Sequence, residues 1–179
     1  MSRLIIFMAV LFCVASCEKE KEKSPYIGEA TATKDGKQWT AYTYVSTYKQ
    51  DKNQLELVLA VADEKDINII REKLILLNLN IEEGSHQLDT MGPSFFKTHF
   101  GAFYATSVDD GDVTGDVLYS PPKNEHNYVI VDSYDTVSCE LKGRFNMYLV
   151  FGWGRPKFDQ SLPDTLWFRD GTFNVRIKK

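Results

Sequence analysis

Between residues 136 and 150 the side chains alternate in character. Val137, Cys139, Leu141, Phe145, Met147 and Leu149 share one parity with Gly143, while Ser138, Glu140, Lys142, Arg144 and Asn146 share the other. A repeat of two puts successive side chains on opposite faces of an extended backbone, so the segment reads as a long strand of an antiparallel sheet with one buried face. A helix would scatter the same apolar residues around its circumference. Cys139 then sits on the buried parity between Val137 and Leu141, as a small core filler and not a nucleophile.

The same alternation recurs along the chain. Residues 27–33 and 38–48 flank Asp35-Gly36, a pair suited to the positive φ angles of a tight hairpin. In the second of these segments Trp39, Ala41 and Val45 share one face and Tyr42, Tyr44 and Tyr48 the other. Residues 54–62 align Leu55, Leu57, Leu59 and Val61, and residues 73–81 align Ile75, Leu77, Leu79 and Ile81. Further strands are expected at 99–107, 115–119 and 127–134.

Two places are ambiguous. Across residues 63–72, Ile67, Ile70 and Leu74 hold helical spacing behind a candidate Asp63 cap; the segment is either one or two helical turns or an early start to the next strand. Near the C-terminus Leu166 and Phe168 lie on even positions and Phe173, Val175 and Ile177 on odd ones, with Asp170-Gly171 between. A hairpin or a one-residue bulge would equally restore the phase. The strand rhythm predicts an all-β fold: an antiparallel β-sandwich or small barrel of about eight to ten strands, with at most one short helix.

The N-terminus carries an address. Arg3 precedes an apolar run over residues 4–15, which as a helix would span only about 18 Å against a hydrocarbon core of roughly 30 Å. It therefore reads as a signal peptide. The run ends Val14-Ala15-Ser16-Cys17, which resembles the lipobox of bacterial lipoproteins. The resemblance implies a diacylglycerol on the Cys17 thiol, cleavage just before it and acylation of the new amino group. The competing reading is an ordinary secretory signal cut nearby at a small residue. Lysines and glutamates alternate over residues 18–23 and give no apolar face, so the segment reads as a solvated tether. The expected organisation is a signal peptide over 1–16, lipidated Cys17 with its tether over 17–25, and one all-β domain over 26–179. Membrane lipid, through acylated Cys17, is the first expected partner. The expected location is the cell envelope, anchored to an outer membrane on its periplasmic or its surface face.

Charge and cysteine counts narrow the function. With 21 basic and 25 acidic residues the net charge is −4, which offers no basic surface for nucleic acid. Cys13 leaves with the signal and Cys17 takes lipid, so Cys139 has no disulfide partner within the mature chain.

Motifs for chemistry are sparse. His86, His99 and His126 show no metal-ligand spacing, and there is no nucleophile elbow, phosphate-binding glycine loop or Cys-x-x-Cys. Asp110, Asp112, Thr114 and Gly115 copy the opening of a calcium loop, yet Pro121 stands at the twelfth position, where a bidentate Glu belongs. The plainer reading is an acidic hairpin loop. Asp110, Asp112 and Asp116 are the candidate metal loop, and no metal or cofactor is expected. Trp153, between Gly152 and Gly154, either presents its indole at a loop tip or folds back over the core end. At a tip it would serve a sugar ring or a protein partner.

Four short motifs carry a wider resemblance: Asp35-Gly36-Lys37-Gln38-Trp39, Gly84-Ser85-His86-Gln87-Leu88, Leu141-Lys142-Gly143-Arg144-Phe145 and Asp170-Gly171-Thr172-Phe173-Asn174-Val175. Together they resemble a family of Bacteroidetes lipoproteins, uncharacterised all-β domains of unknown function of the DUF6252 type, across most of residues 26–179. The resemblance implies the fold and brings no catalytic residues. The expected function is a monomeric, lipid-anchored, non-catalytic binding or accessory module with a glycan or protein partner. One alternative is a barrel carrying a small apolar ligand, which needs a cavity where Phe145, Met147 and Phe173 would otherwise pack. Another is a hydrolase whose paired carboxylates meet only in space.

Overall fold

The structure is a computed structural model and describes residues 28–89, 100–121, 124–152 and 156–178. Ten antiparallel strands run in chain order: β1 (Gly28–Lys34), β2 (Lys37–Lys49), β3 (Gln54–Ala62), β4 (Ile70–Asn80), β5 (Gly84–Gln87), β6 (Gly101–Val108), β7 (Val113–Tyr119), β8 (Tyr128–Asp135), β9 (Glu140–Phe151) and β10 (Thr165–Arg176). Their order is β10-β1-β2-β3-β4-β6-β7-β9-β8-β5, and β9 also pairs with β10. That pairing closes eight strands into a barrel with β8 and β5 as an extra flap. The fold is therefore all-β, as the alternation predicts. Its only helical piece among the described residues is a single 3₁₀ turn, Gln50–Lys52.

β9 is the seam of the barrel. One edge pairs with β10 from Glu140 to Val150. The other edge meets β7 only at Val150 and Phe151, and gives its lower stretch to β8. Inward side chains fill the interior: Leu57, Leu59, Leu76, Leu118, Met147 and Phe168 are fully buried. Two aromatic–glycine pairs pack across β9 and β10, where Phe145 stands opposite Gly171 and Phe173 opposite Gly143. A Cβ on Gly171 would lie 2.5 Å from the Phe145 ring, so each ring covers a glycine backbone where no side chain fits.

Several phases differ from those read along the sequence. In β4 the inward residues are Leu74, Leu76 and Leu79, because Asn78 takes a left-handed conformation (φ 55°) and slips the register against β3. Ile75 and Leu77 instead form a small outer cluster with Phe103 and Tyr119. A register shift between Val45 and Thr47 likewise turns Tyr48 toward the core, away from Tyr42 and Tyr44. The long strand starts at Glu140, not at residue 136. Residues 136–139 form the β8–β9 turn, in which Val137 is 92% exposed and Cys139 sits half-buried at φ 58°. Asp135 caps that turn; its carboxylate accepts from the Ser138 hydroxyl and the Val137 N–H, which hold it below the usual carboxylate range. Asx turns of this kind compete with regular structure.

Both ambiguous segments resolve. Residues 63–69 form a loop in place of a helix, with Asp63 accepting from the Lys65 N–H and the Arg71 guanidinium, and β4 starts early at Ile70. Asp170-Gly171 is a bulge inside one continuous strand, with Asp170 at φ 50° and the register against β9 shifting between Phe168 and Gly171. The Asp35-Gly36 turn is the expected hairpin, with both residues at positive φ and Lys34 opposite Lys37.

The barrel has two distinct ends. Gly28, the 3₁₀ turn, the β8–β9 turn and residue 178 lie at one end, termed the lower end. The β1–β2 turn, the β3–β4 and β6–β7 loops and residues 156–164 lie at the upper end.

Candidate functional site

The outer face of β8, β9 and β10 gathers the candidate functional side chains, the aromatic ones toward the upper end and the polar ones toward the lower. Alternation in β9 turns Lys142, Arg144, Asn146 and Tyr148 outward while Phe145 and Met147 point in. In β10 the bulge decides the matter. Trp167 and Arg169 precede it and Thr172 and Asn174 follow it, and all four face outward only because the strand gains one residue between them. The result is a continuous strip, aromatic above and polar below.

Trp167 is the centre of the aromatic part. Its indole lies 5.0 Å from the Tyr148 ring at 55° and 5.7 Å from the His126 ring at 42°, and the Arg169 guanidinium stacks over it at 4.5 Å. The cluster is held by hydrogen bonds from beneath. Buried Asn127 exchanges bonds with the Tyr148 backbone, donating to its carbonyl at 2.8 Å and accepting from its N–H at 2.6 Å. Asn146 donates to the His126 carbonyl at 2.8 Å, and Asp35 accepts the Trp167 N–H at 2.8 Å. Trp167 and Tyr148 are thus pre-positioned on strands and half exposed, with exposed His126 beside them in the turn before β8, an arrangement that lowers the ordering cost of a bound partner.

Below the rings a groove of about 390 Å³ opens on the same face. Its sides carry Glu29, Thr31, Asp132, Lys142, Arg144 and Thr172, and its floor is Gly143. Gly143 lies on the inward parity of β9, where a Cβ would meet the Ile130 carbonyl at 2.4 Å and the Phe173 ring at 2.5 Å, so only its backbone reaches the groove. Asp132 accepts from Arg144 through both Nε and Nη2, at 3.1 and 2.8 Å, and this pairing raises the guanidinium further above its ordinary value. Lys142 pairs with Glu140 at 3.0 Å. The Thr31 and Thr172 hydroxyls meet at 3.1 Å and can each donate or accept.

A second polar cluster plugs the upper end of the barrel. The Glu72 carboxylate accepts from Lys34 Nζ at 2.6 Å and from the Trp39 indole N–H at 3.1 Å. Lys34 also donates to the Tyr104 hydroxyl at 3.1 Å and lies over its ring at 5.0 Å. Burial, together with the Glu72 carboxylate, pushes the Tyr104 phenol far above its ordinary value. Lys34, Trp39, Glu72 and Tyr104 bring four strands together at this cluster. The donors are all engaged, which makes the cluster a latch.

The sequence-derived candidates fare differently. Asp110 and Asp112 lie in the exposed β6–β7 turn, where Asp110 accepts weakly from the Asp112 N–H at 3.4 Å. Asp116 is buried in β7 and points elsewhere: its two oxygens accept the N–H groups of Phe158 and Asp159, each at 2.8 Å, and hold the loop over 156–164. Among the described residues no three His, Cys, Asp or Glu side chains stand where they could hold a metal ion. Cys17, Trp153 and His99 lie outside the described residues. Alternation reasoning passed over Trp167, Tyr148 and His126; the available signal was that Trp167 and Tyr148 occupy the polar parity of their strands.

Asp116→Ala is expected to lower stability by about 1–3 kcal/mol, since the backbone N–H groups of Phe158 and Asp159 lose the buried carboxylate that fixes their loop to β7. Denaturant melts with and without calcium are the check. A loss that grows in calcium would assign the carboxylate to a metal instead.

Compared with protein-family models, curated proteins and solved structures, the chain matches none.

Proposed function

We propose that this chain is a lipoprotein of the bacterial cell envelope, anchored to the outer membrane through acylated Cys17, whose barrel is a non-catalytic binding or accessory module. The observation that carries the binding part is the pre-positioned aromatic and polar strip on β8–β10, whose rings lie toward the upper end and whose groove descends to Glu29, beside Gly28. A chain tethered through the residues before Gly28 would hold the rings, not the groove, at the end away from the tether. The residues between Cys17 and Gly28 can reach at most about 35–40 Å when extended. The lipobox at Val14-Ala15-Ser16-Cys17 and the charged segment after it support the anchor.

The polarity of the barrel supports attachment by acyl chains over insertion by strands. Most of its leucines and phenylalanines point inward, with Leu77 and Phe103 in a small outer cluster, and its outer face carries Glu29, Thr31, Lys142, Arg144 and Thr172. Membrane-spanning barrels have the reverse arrangement. No helix among the described residues is long and apolar enough to cross a membrane. The rival reading, a barrel carrying an apolar ligand, needs open space inside, and Phe145, Met147 and Phe173 pack there. The resemblance to Bacteroidetes lipoproteins of the DUF6252 type belongs to the same proposal.

Metabolic labelling with an alkyne fatty acid tests the anchor. The wild-type protein is expected to take the label, and Cys17→Ala to lose it and accumulate as uncleaved precursor. An unlabelled wild-type protein would overturn the lipoprotein reading.

A further inference from the structure

We propose that the strip on β8–β10 binds a neutral glycan, with sugar rings meeting Trp167 and Tyr148 and sugar hydroxyls meeting the polar groove below. This inference rests on the binding-module reading and names its ligand class. The aromatic part offers half-exposed rings fixed at 5.0 and 5.7 Å spacing. Such rings take the C–H faces of pyranoses as they take other weakly polar surfaces, by dispersion and exclusion of water. Arg169, on a long exposed side chain, covers the indole and can swing from it to donate to ring hydroxyls.

The groove argues for a neutral, hydroxyl-rich ligand. Arg144 is paired with Asp132 and Lys142 with Glu140, so an anion would have to break an existing pair to gain one, and the Glu29 carboxylate on the groove's side would repel it. The facing Thr31 and Thr172 hydroxyls can switch between donor and acceptor, as a sugar hydroxyl does. A protein partner would be met by an apolar centre ringed by polar residues. Here the rings lie at one end and the remainder of the strip is polar. The groove volume of about 390 Å³ falls within the roughly 300–1,000 Å³ of ligand sites. The groove crosses β1, β10, β9 and β8 at one level, which suits an extended chain lying across the sheet face below the rings.

Native gel electrophoresis of the detergent-solubilised full-length protein tests the proposal, in gels containing starch, mixed-linkage β-glucan, xylan, galactomannan or levan, with polygalacturonate as the anionic comparison. At least one neutral polysaccharide is expected to retard the protein. Trp167→Ala and Tyr148→Ala should weaken that retardation at least about tenfold. Thr172→Val should weaken it less, and the exposed His126→Ala serves if Trp167→Ala fails to fold. Passage through every neutral gel without retardation overturns the proposal, as does retardation by polygalacturonate alone or unchanged binding by the folded ring variants. Reducing ends appearing in a retarding gel would instead overturn the non-catalytic reading while leaving the site in place. Fatty-acid labelling of Cys17 without any retardation would leave the lipoprotein standing and remove the glycan.

Discussion

Phe145→Ala is expected to cost about 3–5 kcal/mol, a large share of the roughly 5–15 kcal/mol that holds a typical domain folded. The ring is 1% exposed and lies over Gly171 on the neighbouring strand, inside the seam where β9 joins β8 and β10. Removing it leaves a cavity that the glycine opposite cannot fill, because it has no side chain to move. The seam also closes the barrel, so loss there weakens pairings on both edges of β9. Denaturant melts of the variant against wild type are the measurement, with Val137→Ser beside them as a control. Val137 shares the parity of Phe145 but is 92% exposed in the turn, and its replacement should stay within about 0.5 kcal/mol. Equal losses at the two positions would mean that the β8–β9 turn is wrongly drawn.

Glu72→Ala should be the next most damaging change, at about 2–4 kcal/mol. It strips the acceptor from the Lys34 ammonium and the Trp39 indole together, and Lys34 also holds the Tyr104 hydroxyl. Breaking one side of a buried ion pair costs about 3–5 kcal/mol, and the partial exposure of Lys34 and Glu72 (21% and 27%) reduces that figure. Much of the penalty comes from the ammonium left behind, so Lys34→Met in the Glu72→Ala background should recover part of the loss. Glu72→Gln, which keeps a carbonyl acceptor, should fall between. Melting temperatures for these three variants and for Lys34→Met alone, with near-ultraviolet circular dichroism reporting the aromatic packing, would reveal the latch. Additive effects of Lys34→Met and Glu72→Ala would show that the two groups are not coupled.

Strand existence was legible along the chain because a period of two survives in each segment whatever its neighbours do. Leu55, Leu57 and Leu59 are buried as their parity requires, and so are Leu141, Phe145, Met147 and Leu149. Asp35-Gly36 announced its own turn, since only residues tolerant of positive φ fit there. Phase was less legible. Asn78 and Asp170 each insert a left-handed residue, and Val45 to Thr47 adds another slip. After each slip the side chains exchange faces, so Tyr48 joined the core while Ile75 and Leu77 left it.

The sequence by itself determined that the fold is all-β, that its strands have one apolar face, and that it holds none of the short catalytic motifs. Only the tertiary structure decided which faces meet. Barrel closure sets the twist and stagger of neighbouring strands, and the bulges that accommodate it choose the side to which later residues turn. His126, Tyr148 and Trp167 come from three separate stretches of chain, and Lys34, Glu72 and Tyr104 from three others. Their proximity depends on hydrogen-bonded register between strands, which no local pattern encodes. For that reason both clusters lay hidden in the sequence, and the acidic run at residues 109–116 divides between an exposed turn and strand β7, where Asp116 faces the protein.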